Sequence, residues 1–190
     1  MKILFVSDTH GEEINEKLIK KVDLILHSGD FTVFEDRIVE LLLYLESLPV
    51  PIFLIHGNHE SEENVKKIIK QYNLRNIAFL HNKIVKFKGL IIGGIGGGGF
   101  SYGSPSTKKL EKKLKNKHID ILLTHAPPYN TKLDQLGMDH IGNIEFRNFI
   151  EMFQPRICSC GHLHENAGKE DKINNTLLIN PGYKGKILEF

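Results

Sequence analysis

Short apolar runs alternate with amphipathic segments through the first half of the chain. Three apolar runs with β-branched residues predict buried strands: residues 2–7, 23–28 and 51–56. Three segments with apolar residues at helical spacing predict helices: residues 14–21, 34–48 and 62–72. Repeated strand-helix-strand units of this kind indicate a largely parallel sheet with helices packed outside it.

The pattern changes in the second half of the chain. Three short strand-like segments lie close together and favour antiparallel pairing: residues 77–80, 83–87 and 90–93. Beyond them, helices are predicted at residues 106–117 and 143–153, and strands at residues 119–124 and 156–159. A terminal hairpin is predicted from residues 176–180 and 186–190, around Pro181 and Gly182. Because no linker or internal repeat divides the sequence, we expect a single domain spanning residues 1–190.

The composition is that of an ordinary soluble globular protein, with 190 residues, 41% hydrophobic and 25% charged. The formal charge of +2 gives little support for nucleic-acid binding, and the lysines in residues 108–117 alternate with leucines as on a solvated helix face. No targeting segment is visible, and no apolar run approaches the roughly 20 residues that span a bilayer. We therefore expect a cytoplasmic protein with no membrane partner. No feature indicates a protein partner or an oligomeric state.

Side chains that bind metals gather where the predicted strands end. They are Asp8, His10, Asp30, Asn58, His125, His162 and His164. In open α/β sheets, ligands bind beyond the carboxyl ends of the strands. A single aspartate there is more often a cap or turn residue, and a single histidine is more often a structural hydrogen-bonding group. Because five strand exits all carry such residues, the joint pattern predicts a metal centre.

These residues resemble the signature of the calcineurin-like metallophosphoesterases. The signature runs in order through Asp8-x-His10, Gly29-Asp30, Gly57-Asn58-His59-Glu60, His125 and Gly161-His162-x-His164. Residues 27–32 and 124–128 look most similar to the small, single-domain phosphodiesterase type. The resemblance implies an α/β fold in which two mixed β-sheets pack as a sandwich flanked by helices.

The resemblance also implies a role for each candidate residue. One metal ion would be held by Asp8, His10, Asp30 and His164, and the other by Asp30, Asn58, His125 and His162. A hydroxide that bridges the two ions would attack the phosphate ester, while His59 would face the scissile phosphate and assist. Glu60 would either orient His59 or cap the following helix.

The ligand atoms are oxygens and nitrogens, which suit Mn, Fe, Ni, Co or Zn, with Mn favoured here. Cys158 and Cys160 suit neither a disulfide framework nor a structural zinc site, so we expect small buried strand residues. Two divalent ions outweigh the charges of Asp8 and Asp30. The centre would therefore be positive and suited to an anionic ester.

The implied function is dinuclear, metal-dependent hydrolysis of phosphate esters, most favourably of phosphodiesters. The expected partner is a small phosphate ester, with nucleotides among the candidates. Phosphomonoesterase or nuclease activity at the same site is the alternative within enzymes. A catalytically silent scaffold with this fold is the alternative from another class, although the complete ligand set and His59 argue against it.

Several other signals are not assigned to the metal centre. Gly94-x-Gly96-x-x-Gly99 matches a dinucleotide-binding string, but no helical pattern follows it directly, so residues 93–99 are expected to form a loop beside the metal site. His27 and His56 are expected within strands, in structural or supporting roles. His140 would either line the substrate cleft or cap the next helix.

Overall fold

Two mixed β-sheets pack face to face, with helices on the outer side of each. The computed structural model describes residues 1–98, 105–115 and 117–190. Five strands form the first sheet, in the spatial order β13 (Lys186–Glu189), β1 (Lys2–Val6), β2 (Leu24–His27), β3 (Ile52–Leu54) and β4 (Ile77–Phe79). Strands β1 to β4 are parallel, whereas β13 runs antiparallel to β1. The parallel carboxyl ends of β1, β2 and β3 therefore lie along one edge of this sheet.

Six strands form the second sheet, in the order β11 (Glu170–Ile173), β12 (Thr176–Ile179), β10 (Ile157–Ser159), β7 (Ile121–Thr124), β6 (Leu90–Ile95) and β5 (Lys83–Phe87). The four central strands are parallel, and the two edge strands pair antiparallel to their neighbours. A small hairpin is formed by β8 (Gln135–Leu136) and β9 (Asp139–His140). The predicted sandwich of two mixed sheets is confirmed.

Three apolar layers hold the sheets and helices together. Alternate side chains of β1 face opposite layers: Leu4 and Val6 pack towards the helices, whereas Ile3 and Phe5 pack between the sheets. The helices are α1 (Glu16–Ile19), α2 (Ile38–Glu46), α3 (Glu62–Gln71), α4 (Lys108–Leu114) and α5 (Ile144–Phe153). The first three cover the first sheet, and α4 and α5 cover the second. Burial of these layers supplies the main stabilisation of the fold.

The predicted helix at residues 34–48 begins later than expected. Phe34, Glu35 and Arg37 have φ angles of 48°, 64° and 49°, and α2 begins at Ile38. A right-handed helix cannot include such residues, because left-handed backbone breaks its hydrogen-bond ladder. The segment before α2 is therefore a strained turn, which follows directly after β2 and its exit loop.

Two predicted strand pairings are wrong. Residues 176–180 and 186–190 do not form a terminal hairpin, because β12 pairs with β10 and β11 whereas β13 joins β1 in the other sheet. Strand β4 pairs in parallel with β3 rather than with β5, although the expected antiparallel pair of β5 and β6 is confirmed. Apart from β11, which directly precedes β12, the correct partners are distant in sequence, so local patterns could not identify them.

Two further predictions extend past the described residues. Residue 99 of the predicted 93–99 loop and residue 116 of the predicted 106–117 helix lie outside them. The loop prediction is wrong for residues 93–95, which belong to β6 and pair with β5 and β7. Cys158 and Cys160 are buried, as expected, in the apolar layer between the second sheet and its helices. Among the helices that the structure describes, none combines the length and the apolar character needed to cross a membrane.

Candidate metal centre

The seven predicted metal-binding residues lie at the ends of β1, β2, β3, β7 and β10, where the two sheets meet. Two groups of three have ligand atoms within 4.8 Å of one another and could each hold a metal ion: Asp8, His10 and His164, and Asp30, His125 and His162. Asn58 joins the second group, since its Oδ1 lies 2.9 Å from Nε2 of His125. The structure thus brings together all seven.

The backbone at these strand exits is unusual. Asp8, His10, Asp30 and His162 have φ angles of 53°, 46°, 55° and 70°, in the left-handed region that non-glycine residues seldom occupy. Strain of this kind persists where the surrounding structure fixes it, and it clusters at functional sites. The turns redirect the chain so that side chains from separate strands point at one place.

Two glycines allow the carboxylates to approach the neighbouring backbone. A Cβ atom on Gly57 would lie 2.0 Å from Oδ1 of Asp30, and one on Gly161 would lie 2.5 Å from Oδ2 of Asp8. Both distances are far inside van der Waals contact. Glycine at these positions is therefore required for the observed placement of Asp30 and Asp8.

Backbone carbonyls orient two of the histidine rings. Nδ1 of His10 donates to the carbonyl of Thr32 over 3.0 Å, and Nδ1 of His125 donates to the carbonyl of Ser28 over 2.9 Å. A neutral ring that donates through Nδ1 keeps a lone pair on Nε2. This arrangement is the one that metal-binding histidines usually adopt.

The atoms that face one another across the centre are mostly acceptors. Nε2 of His10 lies 3.0 Å from Nε2 of His164, and Nε2 of His125 lies 3.2 Å from Oδ2 of Asp30. Acceptors at such distances need a proton or a cation between them. A mixed set of imidazole nitrogens and carboxylate oxygens suits divalent transition metals, so the residues present fit such ions.

The charges of Asp30 and His125 depend on each other. Burial alone would lower the pKa of His125, but the nearby Asp30 carboxylate outweighs it and raises the pKa to about 9. Burial likewise opposes ionisation of Asp30, and His125 overcomes it to hold the pKa of the carboxyl well below its usual range. His162 differs, since burial and the neighbouring His125 lower its pKa to about 4. The centre is thus organised around a carboxylate that attracts positive charge.

His59 stands beside the two groups in a different setting. Its Nδ1 accepts the backbone N–H of Phe34 over 3.1 Å, and its Nε2 lies 3.8 Å from Oδ2 of Asp30. Burial is the main cause that lowers its pKa. The ring is therefore neutral near pH 7 and carries its proton on Nε2, so it presents a donor rather than a lone pair to the centre.

One of the two roles expected for Glu60, capping of α3, is wrong. Ser61 is the N-cap, and its side chain accepts the backbone N–H of Asn64. The buried Glu60 carboxylate instead accepts the backbone N–H groups of Asp30, Gly57 and Thr32 over 3.1, 2.9 and 2.8 Å. Burial, followed by the charge of Asp30, raises its pKa to about 7. Glu60 thus links the exits of β2 and β3. The sequence did not indicate this role, because a glutamate just before a helix is usual.

Two further histidines are held by hydrogen bonds. His27 pairs with Thr9 and with the N–H of Gly29, in the structural role expected for it. His140 donates through Nδ1 to Asp134 over 2.8 Å. It does not cap α5, because the side chain of Asn143 accepts the N–H of Phe146 at that position.

A third histidine group lies beside the centre. His56, just beyond β3 rather than within it, forms a group with Glu62 and His81 whose ligand atoms lie within 4.8 Å of one another. Nδ1 of His81 accepts the N–H of Gly96 over 2.9 Å, and its Nε2 lies 2.6 Å from Nδ2 of Asn82 and 3.4 Å from the Glu62 carboxylate. Because both ring nitrogens of His81 already have polar partners, a hydrogen-bonded group is favoured over a metal site. The three residues line a cavity of about 540 Å³, together with Phe34, His59 and Pro105.

Comparisons with known proteins agree with this geometry. The family model described as calcineurin-like phosphoesterase matches residues 1–166, and the chain belongs to that family of phosphoesterase hydrolases. It is 31% identical to the uncharacterized protein MJ1162 of Methanocaldococcus jannaschii, over 97% of this chain and 89% of the relative. It is 29% identical to a probable glycerophosphodiester phosphodiesterase, GpdQ, of Arcobacter nitrofigilis, over 86% of this chain and 72% of the relative.

A solved structure shows the same fold. The crystal structure of TT1561 from Thermus thermophilus superposes with a TM-score of 0.76 at 18% identity, covering 96% of this chain and 90% of that one. The predicted family and fold class are therefore confirmed.

Proposed function

We propose that the protein hydrolyses phosphodiesters with the help of two divalent metal ions. The observation that carries this proposal is the convergence of two ligand groups whose nitrogen and oxygen acceptors face one another. Hydrolysis of a phosphate ester is the activity of the family to which the chain belongs. The name of the Arcobacter relative, a probable glycerophosphodiester phosphodiesterase, favours diesters over monoesters.

The proposed ligands divide between two ions that share one carboxylate. Asp8, His10 and His164 would hold one ion, and Asn58, His125 and His162 the other, with Asp30 between them. The position of Asp30 supports this division, because it forms one group with His125 and His162 and another with His10 and His59. When bound, such ions supply Lewis-acid stabilisation of the phosphoryl group and a more acidic water. Mn is our first choice of ion.

His59 would act on the substrate directly. Its neutral ring presents the Nε2 proton towards the centre, at the border of the 540 Å³ cavity. A donor in this place stabilises negative charge on a phosphoryl oxygen or protonates the oxygen that leaves. The cavity has room for the organic part of a small ester, and a nucleotide is one candidate.

The test is hydrolysis of bis-p-nitrophenyl phosphate and p-nitrophenyl phosphate by chelator-stripped protein, with Mn, Fe, Ni, Co, Zn or Mg added back singly. We expect metal-restored turnover, faster for the diester. Asp30→Asn should abolish it, whereas Asp23→Asn should not, because Asp23 precedes β2 at the opposite end of the strand and pairs with Lys88. Faster monoester turnover would contradict the diester assignment, and full activity of Asp30→Asn would contradict the metal centre.

A further inference from the structure

One exposed aromatic residue beside the centre has a strained backbone. Phe34 is 76% exposed, and its φ of 48° is an outlier for a bulky side chain. Glycine or asparagine would adopt this conformation at lower cost. The Phe34 ring is not buried, and the backbone at this position does not favour phenylalanine. We therefore look to the contacts of Phe34 for its role.

Two contacts within the part of the chain that the structure describes join Phe34 to His59. Its N–H donates to Nδ1 of His59 over 3.1 Å, and its ring lies against the imidazole with centroids 4.2 Å apart and planes at 38°. The same imidazole meets His10 edge-on, with centroids 4.9 Å apart. His59 thus contacts both an exposed aromatic ring and a proposed metal ligand.

Hydrogen bonds of the neighbouring residue Glu35 hold the turn that contains Phe34. The carboxylate of the next residue, Glu35, accepts the N–H of Ser61 over 2.7 Å and the amide of Asn64 over 3.0 Å. The N–H of Glu35 itself donates to Oγ1 of Thr32 over 3.1 Å. These bonds fix the turn to the start of α3, the helix that follows His59, so the Phe34 N–H has little freedom to turn away.

We propose that Phe34 is a positioning residue that sets the tautomer and the plane of His59, an inference that rests on the proposed function. Its N–H can be accepted only by an unprotonated Nδ1, which places the ring proton on Nε2. Without that bond, the Nε2 lone pair could serve as a ligand beside His10 and Asp30, whose ligand atoms lie within 4.8 Å. Phe34 thereby keeps His59 a donor to substrate and excludes it from the metal ligands.

The first test measures the tautomer by ¹⁵N NMR of histidine-labelled protein loaded with diamagnetic Zn, with the His59 signals assigned by their loss in His59→Asn. We expect a protonated Nε2 and an unprotonated Nδ1. A protonated Nδ1, or the ¹⁵N chemical shift of a metal-bound Nε2, would overturn the proposal. Because this measurement needs no substrate, its result is independent of whether the protein proves to be a phosphodiesterase.

The second test uses Phe34→Gly, which relieves the strained φ and removes the ring. We expect an unfolding midpoint no lower than that of the wild type, kcat lower by about tenfold or more, and little change in KM, as for a misplaced catalytic group. Phe34→Tyr should restore kcat, and Val33→Ala, at the exposed neighbouring position, should leave it unchanged. Unchanged kcat in Phe34→Gly, or a raised KM alone, would contradict a positioning role.

Discussion

Oδ2 of Asp30 lies 3.2 Å from Nε2 of His125, and the two side chains are only 2% and 0% exposed. In the metal-free protein, this contact is held by a proton on the imidazole, since the pKa of His125 is raised to about 9. In the proposed holoenzyme, a divalent ion replaces that proton. The same pair of residues should therefore respond to pH in one state and not in the other.

The metal-free protein should lose stability between about pH 6.5 and pH 9. A histidine whose folded pKa lies above its unfolded value stabilises the fold fully below the unfolded pKa, and this contribution disappears as the pH rises through the folded pKa. In a protein of this size, each 1 kcal/mol lost lowers the thermal midpoint by roughly 2–4 °C. Calorimetry from pH 6 to 9.5 measures the decline. The metal-loaded protein is the control, and a parallel decline in both states would contradict the explanation.

Gly57→Ala should remove metal binding without unfolding the protein. The new methyl group would lie 2.0 Å from Oδ1 of Asp30 and 2.7 Å from its backbone nitrogen, so the carboxylate and the backbone that carries it must both shift. A displacement of about 1 Å at a catalytic group can reduce turnover by about 100-fold. Metal content per chain and diester turnover should fall together. Gly89→Ala is the matched control, because its Cβ meets nothing within 4 Å and only its φ of 92° is strained. Normal metal content in Gly57→Ala would refute the prediction.

Glu60→Gln should weaken both the fold and the site. A carboxylate accepts all the N–H groups that converge on Glu60, whereas an amide offers one oxygen and turns an NH₂ group towards donors. We expect a loss of about 1–3 kcal/mol in urea unfolding, from buried donors left without acceptors. Turnover should also fall, because the exits of β2 and β3 are no longer tied together. Glu63→Gln, an exposed change in the first turn of α3, is the control. Equal stability of the two variants would exclude this role for Glu60.

The candidate site was predictable from the sequence because its signal is local. Each proposed ligand lies within five residues of the end of an apolar run, as Asp8 does after β1 and His125 after β7, so the strand and its polar exit are recognised together. Parallel pairing then brings the strand ends to one edge without further information. Family resemblance added the division of the ligands between two ions, which is still a proposal.

The parts that could not be predicted depend on long-range contacts. The hydrogen bond from Phe34 to His59 joins residues 25 positions apart, and the partner of β13 is β1 at the other end of the chain. The helix pattern through residues 34–48 is apolar at the correct spacing, yet Thr32 and Glu35 hold the first residues in a turn. Tertiary hydrogen bonds override local helix preference there.

His59→Gln should lower turnover without lowering metal content, because the imidazole presents a proton rather than a lone pair to the centre. The size of the loss should depend on the substrate. p-Nitrophenolate leaves without protonation, whereas phenolate is a poorer leaving group and gains more from an acid. If His59 protonates the leaving oxygen, diphenyl phosphate should lose about 100-fold or more in kcat, and bis-p-nitrophenyl phosphate distinctly less.

An equal loss for both esters would instead assign His59 to charge stabilisation on the phosphoryl group, since that charge forms with either leaving group. Loss of one metal equivalent in His59→Gln would contradict both roles and make His59 a ligand. His118→Gln serves as the control, because that imidazole bonds to Asp120 ahead of β7, at the end of the strand away from the proposed metal ligands. Its turnover of both esters should match the wild type, so a change confined to His59→Gln reports on the Nε2 proton itself.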